Sequence, residues 1–403
     1  MAKLIYDIIT VGGGLAGSAL GKAMAERGAR VLVLERERQF KDRVRGEQMS
    51  PWGVAEAREL GIYELLRDAC GHEVRWWQTY LGGTALELQD CVAESVQHAP
   101  QFGFYHPAMQ EALLQAAANA GADVRRGLAV RNVKPGEPPS VLVEEDGRTE
   151  EFRARLLIGA DGRTSMVRKW AGFSVHQDPP QRLIAGVLFN DMVALPDDTA
   201  HFQIDPGLGQ VVLLFPLGQR RARAYLGWYQ HMSPSRLQGL DDLPRFIKES
   251  IRTGTPADYY SGAKAAGPLA TFDSADTWVE HPYRAGVALI GDAASSNDPC
   301  FGQGLSLTVR SVRVLRDQLL DNGDWDAAGH AYAAAQDHDY GVIHRVTQWE
   351  GQMLYEPGPE ADARRAKALP LIAQDKTRML GHLLSGPDLP ADDSVRRRFF
   401  GEQ

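Results

Sequence analysis

The chain has 403 residues, with 44 Lys and Arg against 52 Asp and Glu and a formal charge of −8. That mild acidity argues against a nucleic-acid binder, which would present a basic face. The length suits one large or two intimately joined domains with an ample core. Cys70, Cys91 and Cys300 are odd in number and far apart, so they predict neither a disulfide framework nor a metal knuckle. A reducing, cytoplasmic setting follows. No apolar run approaches the roughly 18–20 residues of a bilayer span, and the first strand begins too early for a signal peptide.

The segment Ile8-Ile9-Thr10-Val11 reads as a short apolar strand meeting Gly12-Gly13-Gly14-Leu15-Ala16-Gly17 and then an alanine-rich helix. Strand, Gly-x-Gly-x-x-Gly turn and helix together form a dinucleotide cradle. Gly12 allows the tight turn, Gly14 lets a pyrophosphate approach the backbone, and Gly17 lets helix and strand pack closely. Unpaired N–H groups and the positive dipole end would face the phosphates. A second strand, Val31 to Leu34, ends in Glu35, at the roughly 20-residue spacing of an acid that accepts ribose hydroxyls.

A polar loop from Glu37 to Pro51 follows, then two short helices, Trp52 to Leu60 and Ile62 to Ala69. Strands are predicted from Val74 to Leu88 around a Gly82-Gly83 turn. His106 to Ala120 reads as a helix with Met109, Leu113, Leu114 and Ala117 on one face. Val124 to Phe152 reads as a strand meander with an Asp146-Gly147 turn, and Leu156-Leu157-Ile158 as a buried strand delivering Asp161-Gly162. Between Leu183 and about Glu280 the pattern becomes long strands with one helix near Leu243 to Ile251, the signature of a mostly antiparallel sheet. Val287 to Ile290 then returns the chain to the first unit at Gly291-Asp292. A long helix follows with Leu305, Val309, Val312, Leu315 and Leu319 on its buried face, and the chain after Trp325 reads helical.

No second strand–glycine turn–helix unit is present. The other glycine cluster, Gly302-Gln303-Gly304, follows Gly291-Asp292 and Pro299 instead. There a strand-end aspartate suits a polyol, and glycines opening a helix suit a flat heterocycle carrying negative charge.

Three ordered motifs carry a family resemblance over nearly the whole chain. They are Gly12 to Gly17 with Glu35, Asp161-Gly162 with Arg163, Ser165, Val167 and Arg168, and Gly291-Asp292 with Pro299 to Gly304. Together they resemble the fingerprints of class A FAD-dependent monooxygenases, relatives of para-hydroxybenzoate hydroxylase. The run Asp42-Arg43-Val44-Arg45-Gly46-Glu47 to Pro51 is similar to squalene epoxidases and geranylgeranyl reductases of the same superfamily.

The resemblance implies an α/β (α+β overall) fold: a Rossmann-like FAD-binding domain, an inserted mostly antiparallel β-sheet substrate domain and a helical C-terminal region. Residues 1–73, 98–180 and 283–322 would form the discontinuous FAD-binding domain, 74–97 and 181–282 the substrate sheet, and 323–403 the C-terminal region. FAD would contact Gly12, Gly14, Leu15, Ala16 and Gly17 at the first turn, and Glu35 and Arg36 at the adenosine ribose. Arg43 and Arg45 would lie along the pyrophosphate and flavin, Val130 beside the adenine, and Asp161 by both FAD and a transient nicotinamide cofactor. Asp292 would bind the ribityl chain, with Pro299, Gly302, Gly304 and Leu305 nearby. His106 stands where relatives carry Arg or Gln near the flavin.

The implied reaction uses NADPH or NADH and O2 to hydroxylate or epoxidise an aromatic, polyketide, indole or terpenoid molecule through a flavin C4a-hydroperoxide. No side chain is required as a nucleophile. A flavin-dependent double-bond reductase is the alternative. A halogenase lacks support because no Trp-x-Trp pair is present, and a non-catalytic flavoprotein is the reading from another class. The substrate would lie between flavin and sheet, with Phe202, Val212, Leu214 and Phe215 as candidates for the sheet surface. Arg220, Arg221 and Arg223 fit either a grip on an acidic substrate or a solvated strand edge. His201 and Tyr225 fall in the same sheet. One at most of Trp76 and Trp77 can face a pocket, Cys300 fits a small apolar filler, and Arg396 to Arg398 fit a solvated surface.

Overall fold

The computed structural model describes residues 6–403, leaving out 146, 234 and the side chain of residue 87. The expectation for the chain's first residues, and the Asp146 half of the Asp146-Gly147 turn, lie outside the described residues. Tyr6–Val11 forms the centre of a mainly parallel sheet. Val31–Glu35 and then Asp123–Arg126 lie on one side; Arg148–Gly159, Val287–Leu289 and Tyr283–Arg284 lie on the other. Ile8 pairs in register with Val31 and Leu156, and Val11 with Leu34 and Gly159. These strands are near-continuous apolar runs because both faces are covered. Helices Leu15–Ala25, His106–Asn119 and Gly304–Asp321 cover one face. The meander Ala129–Lys134, Ser140–Glu145 and Arg148–Gly159 closes the other.

The second large sheet runs in the order Arg182–Asn190, Ala222–Tyr229, Gln210–Pro216, Thr199–Asp205, Trp76–Leu81, Thr84–Asp90. All of these neighbours pair antiparallel except Thr199–Asp205, which runs parallel to Trp76–Leu81. Successive side chains point to opposite faces. Phe202, Val211, Leu213, Phe215 and Tyr225 therefore share one face with Val44, Cys300 and Phe301. Val212 and Leu214 fall on the other, beneath Phe246 of helix Leu243–Arg252. The expected surface set was thus half right: Phe202 and Phe215 face inward toward the first unit, and Val212 and Leu214 do not. Parity along the strand decides this, and apolarity alone cannot.

The same parity separates the other candidates. Trp77 is buried and stacks on Phe202 at 4.1 Å, whereas Trp76 lies under the Arg75 guanidinium. His201 turns to the far face, stacked on Tyr80 and meeting the edge of Tyr259. It is remote from the first unit. Among the long helix's expected core positions, Val309, Val312, Leu315 and Leu319 are buried, while Leu305 is only partly covered and lines a cavity described below. Trp325–Glu350 is a single helix, and Pro359–Gln374 packs against its end. No helix among the described residues is long and apolar enough to cross a membrane. Arg396, Arg397 and Arg398 pair with Asp393, Glu402 and Asp375 at the surface.

Both ring nitrogens of His201 are buried without a partner among the described residues, and burial lowers its pKa to about 4. The unfolded chain takes up this proton near 6.5 and the folded one only near 4, so stability is full above about 6.5 and falls as pH drops toward 4. The integrated loss for one such group is about 3 kcal/mol. Urea unfolding of the wild type and His201→Leu across pH 4–7 should give curves that diverge in that window, with the variant flatter. Parallel curves would remove His201 as the source.

Candidate functional site

A cavity of about 360 Å3 runs over the C-terminal edge of the parallel sheet, the place where open α/β sheets bind ligands. Its floor is the first turn. Gly12 has φ +108°, and a Cβ there would lie 2.3 Å from the Ala160 carbonyl oxygen; one on Gly17 would lie 1.9 Å from the Gly12 oxygen. Neither position tolerates a side chain. A Cβ on Gly14 would instead project to 3.4 Å from the Gln110 amide, another wall residue, and so into the cavity. Helix Leu15–Ala25 opens here with no side-chain cap and no acidic residue in its first turn. Its free N–H groups and positive dipole end are available to an anion.

Glu35 marks one end of the cavity. It is 6% exposed, and its carboxylate accepts from the Gly13 N–H at 2.7 Å and the Glu37 N–H at 2.7 Å. Two backbone donors thus fix it beside the turn. Arg36 and Val130 line the same end. Arg43 reaches the wall as well and pairs with Glu37.

Asp292 and Arg45 mark the other end, with Nη1 and Oδ2 4.0 Å apart. About a third of the Asp292 side chain is exposed, and it lines the cavity. Burial pushes its pKa up, opposed by Arg45, Arg163 and Arg168. Leu15, Ala16 and Leu305 complete this part of the wall. Asp161 is also in the wall, but its oxygens accept from the Ser165 hydroxyl and from the Met166 and Val167 N–H groups. It thereby supports the start of the short helix Met166–Trp170, whose N-cap is Ser165.

His106 opens helix His106–Asn119 and lines the cavity. Its backbone N–H donates to Glu47 Oε1 at 2.8 Å, and its Nδ1 lies 2.9 Å from the Gly46 carbonyl. Burial, aided by Arg45 and Arg223, lowers the imidazole pKa to about 4. The ring is therefore neutral near pH 7. A carbonyl can only accept, so Nδ1 carries the hydrogen and Nε2 is left as an acceptor.

Pro299, Gly302 and Gly304 stand apart from the cavity wall. Pro299–Phe301 forms a tight turn, Gly302 packs against the Gln48 side chain, and Gly304 opens the long helix. Sequence reasoning missed Gln110, Thr164, Met166, Trp170 and Thr308, all in the wall. Spacing carried some signal: Gln110 is four residues after His106 and Trp170 four after Met166, one helical turn on in each case.

The sheet meets this cavity through the loop from Asp42 to Glu47. Arg223 is fully buried: Nε and Nη2 donate to Glu47 at 2.9 Å each, and Nη2 donates to Asp42 at 2.8 Å. Tyr225 donates its hydroxyl to the Arg45 carbonyl at 2.6 Å. Neither reading of Arg223 from sequence holds: it is not on a solvated edge, and its partners are internal carboxylates. Arg221 lies over the Tyr105 ring. Burial works against the charge on Arg223, yet its bonds to Glu47 and Asp42 outweigh that and raise its pKa above the ordinary arginine value.

A family model described as FAD binding domain matches residues 6–324. The chain belongs to that family. This flavoprotein is 30% identical over 342 residues to the 3-demethoxyubiquinol 3-hydroxylase of Escherichia coli (strain K12), covering 81% of the chain and 82% of the relative. It is 27% identical over 348 residues to a digeranylgeranylglycerophospholipid reductase of Methanosarcina acetivorans, covering 80% of the chain and 77% of the relative. Among solved structures, the p-nitrophenol 4-monooxygenase of Pseudomonas putida DLL-E4 matches with a TM-score of 0.81. That match covers 96% of this chain and 100% of the other at 17% identity, which shows the shared fold. The flavoprotein is thus an enzyme of the flavin-dependent oxidoreductases, within their monooxygenase family.

Removing one partner from a buried ion pair leaves an uncompensated charge and costs about 3–5 kcal/mol. Arg223→Met should lose about that much in urea unfolding, and adding Asp42→Asn and Glu47→Gln should restore most of it. A loss within the range of an exposed pair, below about 1 kcal/mol, would show that the clamp is not what joins loop and sheet.

Proposed function

We propose that this flavoprotein is a monooxygenase that uses NADPH or NADH and O2 to oxygenate an aromatic, polyketide, indole or terpenoid small molecule. The observation that carries it is the single cavity with a carboxylate fixed at one end, an uncapped helix N-terminus between, and the Asp292–Arg45 pair at the other. That order of groups fits FAD. Glu35 would receive the ribose hydroxyls, with Arg36 and Val130 at the adenine. The turn from Gly12 to Gly17, with Leu15, Ala16 and Arg43, would hold the pyrophosphate. Asp292, Arg45, His106 and Leu305 would hold the ribityl chain and ring, with Asp161 alongside and the Pro299-to-Gly304 turn behind. Residues 1–73, 98–180 and 283–322 would then be the cofactor unit, 74–97 and 181–282 the substrate sheet, and 323–403 its helical cover.

When bound, FAD supplies hydride acceptance from the nicotinamide and activation of O2. The chain supplies position and dryness. The Arg223 clamp holds the loop, Tyr225 holds the Arg45 backbone, and the apolar sheet face excludes water from the reacting region. A double-bond reductase is the second reading, favoured by the likeness to the Methanosarcina reductase and by the Arg45-Gly46-Glu47 loop. Aromatic and isoprenoid candidates should be screened for stimulated NAD(P)H consumption, with O2 uptake and product mass followed together. Gain of one oxygen atom with O2 uptake supports the monooxygenase; gain of two hydrogens without it supports the reductase.

Asp292→Ala should purify nearly colourless. Loss of one hydrogen bond to a charged group weakens binding by about 10- to 100-fold. The ratio of flavin to protein absorbance after gel filtration reads this directly, and a fully yellow variant would contradict the assigned contact.

A further inference from the structure

Helix Trp325–Glu350 does not stop at Glu350 but widens into a π-helical turn over Gly351–Tyr355, a rare winding found frequently at functional sites. Two cavities of about 60 and 80 Å3 lie against this turn, each several times the roughly 10–15 Å3 that one water needs. The inner one is walled by Trp77, Phe202 and Ile204 of the sheet and by Cys300 and Phe301. Met353, Leu369, Ile372 and Phe399 wall the outer one. Leu86, Glu350, Leu354 and Met379 belong to both walls.

Glu350 is the one carboxyl among the described residues of these walls. It is 3% exposed, accepts no side-chain hydrogen bond from a described residue, and has burial as the sole influence on its proton. Burial pushes its pKa up to about 8, so near pH 7 it is a neutral acid able both to donate and to accept. The other titratable groups facing the cavities are Cys300, Tyr355 and Lys376. Burial raises the pKa of both Cys300 and Tyr355 well above the ordinary values, so they stay neutral. Lys376 is engaged in a contact of its own. A buried carboxyl without a partner is costly, and a ligand that supplies the partner removes that cost.

We propose that Glu350 anchors the substrate: its carboxyl hydrogen-bonds the single hydroxyl or carbonyl of an elongated, otherwise apolar and uncharged molecule lying along the two cavities. The reacting end would lie toward Cys300 and Phe301, in the turn that leads to Leu305 of the flavin cavity. This rests on the monooxygenase reading and narrows its substrate class.

The test uses FAD-loaded protein, with tryptophan fluorescence (Trp77 is in the wall) reporting the binding of 1-octanol, n-octane and n-octylamine. Octanol should bind at least tenfold tighter than octane at pH 7, where the neutral acid can both donate to and accept from its hydroxyl. Glu350→Gln should keep octanol binding, because the amide offers the same donor and acceptor. Glu350→Leu should bring octanol level with octane. An unchanged octanol preference in Glu350→Leu overturns the proposal, as does octylamine binding tighter than octanol in a Glu350-dependent way, which would mark a cation anchor. Flavin content and O2 uptake, measured on the same preparations, report separately on the monooxygenase reading.

Discussion

The contact between Arg223 and the carboxylates of Glu47 and Asp42 is the constraint on which the site's geometry depends. A guanidinium with no exposed surface, donating three bonds to two acids, is poor value as stability, because desolvation of the ions offsets most of the attraction. Its worth lies in position. Glu47 Oε1 receives Arg223 and also the backbone N–H of His106, so one oxygen ties the sheet to the first turn of the helix that lines the cavity. Between the two acids lie Arg43 and Arg45, whose side chains reach the cavity wall. The Tyr225 hydroxyl holds the Arg45 carbonyl from the same strand, two residues on. The loop therefore has little freedom to slide over the sheet.

The charges along the cavity are graded. Glu35 gives one end an acid with no arginine bonded to it, while Arg36 and Arg43 are shared with Glu37 and partly neutralised. The centre has no capping acid to compete for the helix N-terminus, so backbone N–H groups are the donors there. At the far end three arginines oppose the burial of Asp292. A ligand with hydroxyls at one end, anionic oxygens in the middle and a polyol beyond matches this sequence of partners.

What could be read from the sequence follows from how local each feature is. The glycine turn, Glu35 and Asp292 were legible because neighbouring residues define them: a strand end, a turn and a helix start are set within about twenty positions. Arg223 and Tyr225 were not, since their partners lie 176 to 181 positions away and the same residues on an edge strand would be solvated. Val212 and Leu214 show a different limit. Every residue of Gln210–Pro216 is buried, so hydrophobicity carried no alternation, and only the sheet's two covered faces distinguish the sets. Asp161 lay in a recognisable motif and reaches the wall, yet its oxygens are taken by Ser165 and the first N–H groups of the helix that follows, a use that depends on the fold of the next six residues.

His106 illustrates how such placement decides chemistry. A histidine in the cavity wall suggests a positive charge, but the Gly46 carbonyl fixes the hydrogen on Nδ1, and burial beside Arg45 and Arg223 keeps the ring neutral. What it offers the cavity is a lone pair on Nε2. At the same end of the cavity Arg45 stands 4.0 Å from Asp292. The imidazole therefore offers the cavity an acceptor and the Arg45 guanidinium a positive charge. An arginine at position 106 would offer donors only, removing that acceptor and adding a second buried cation beside Arg223.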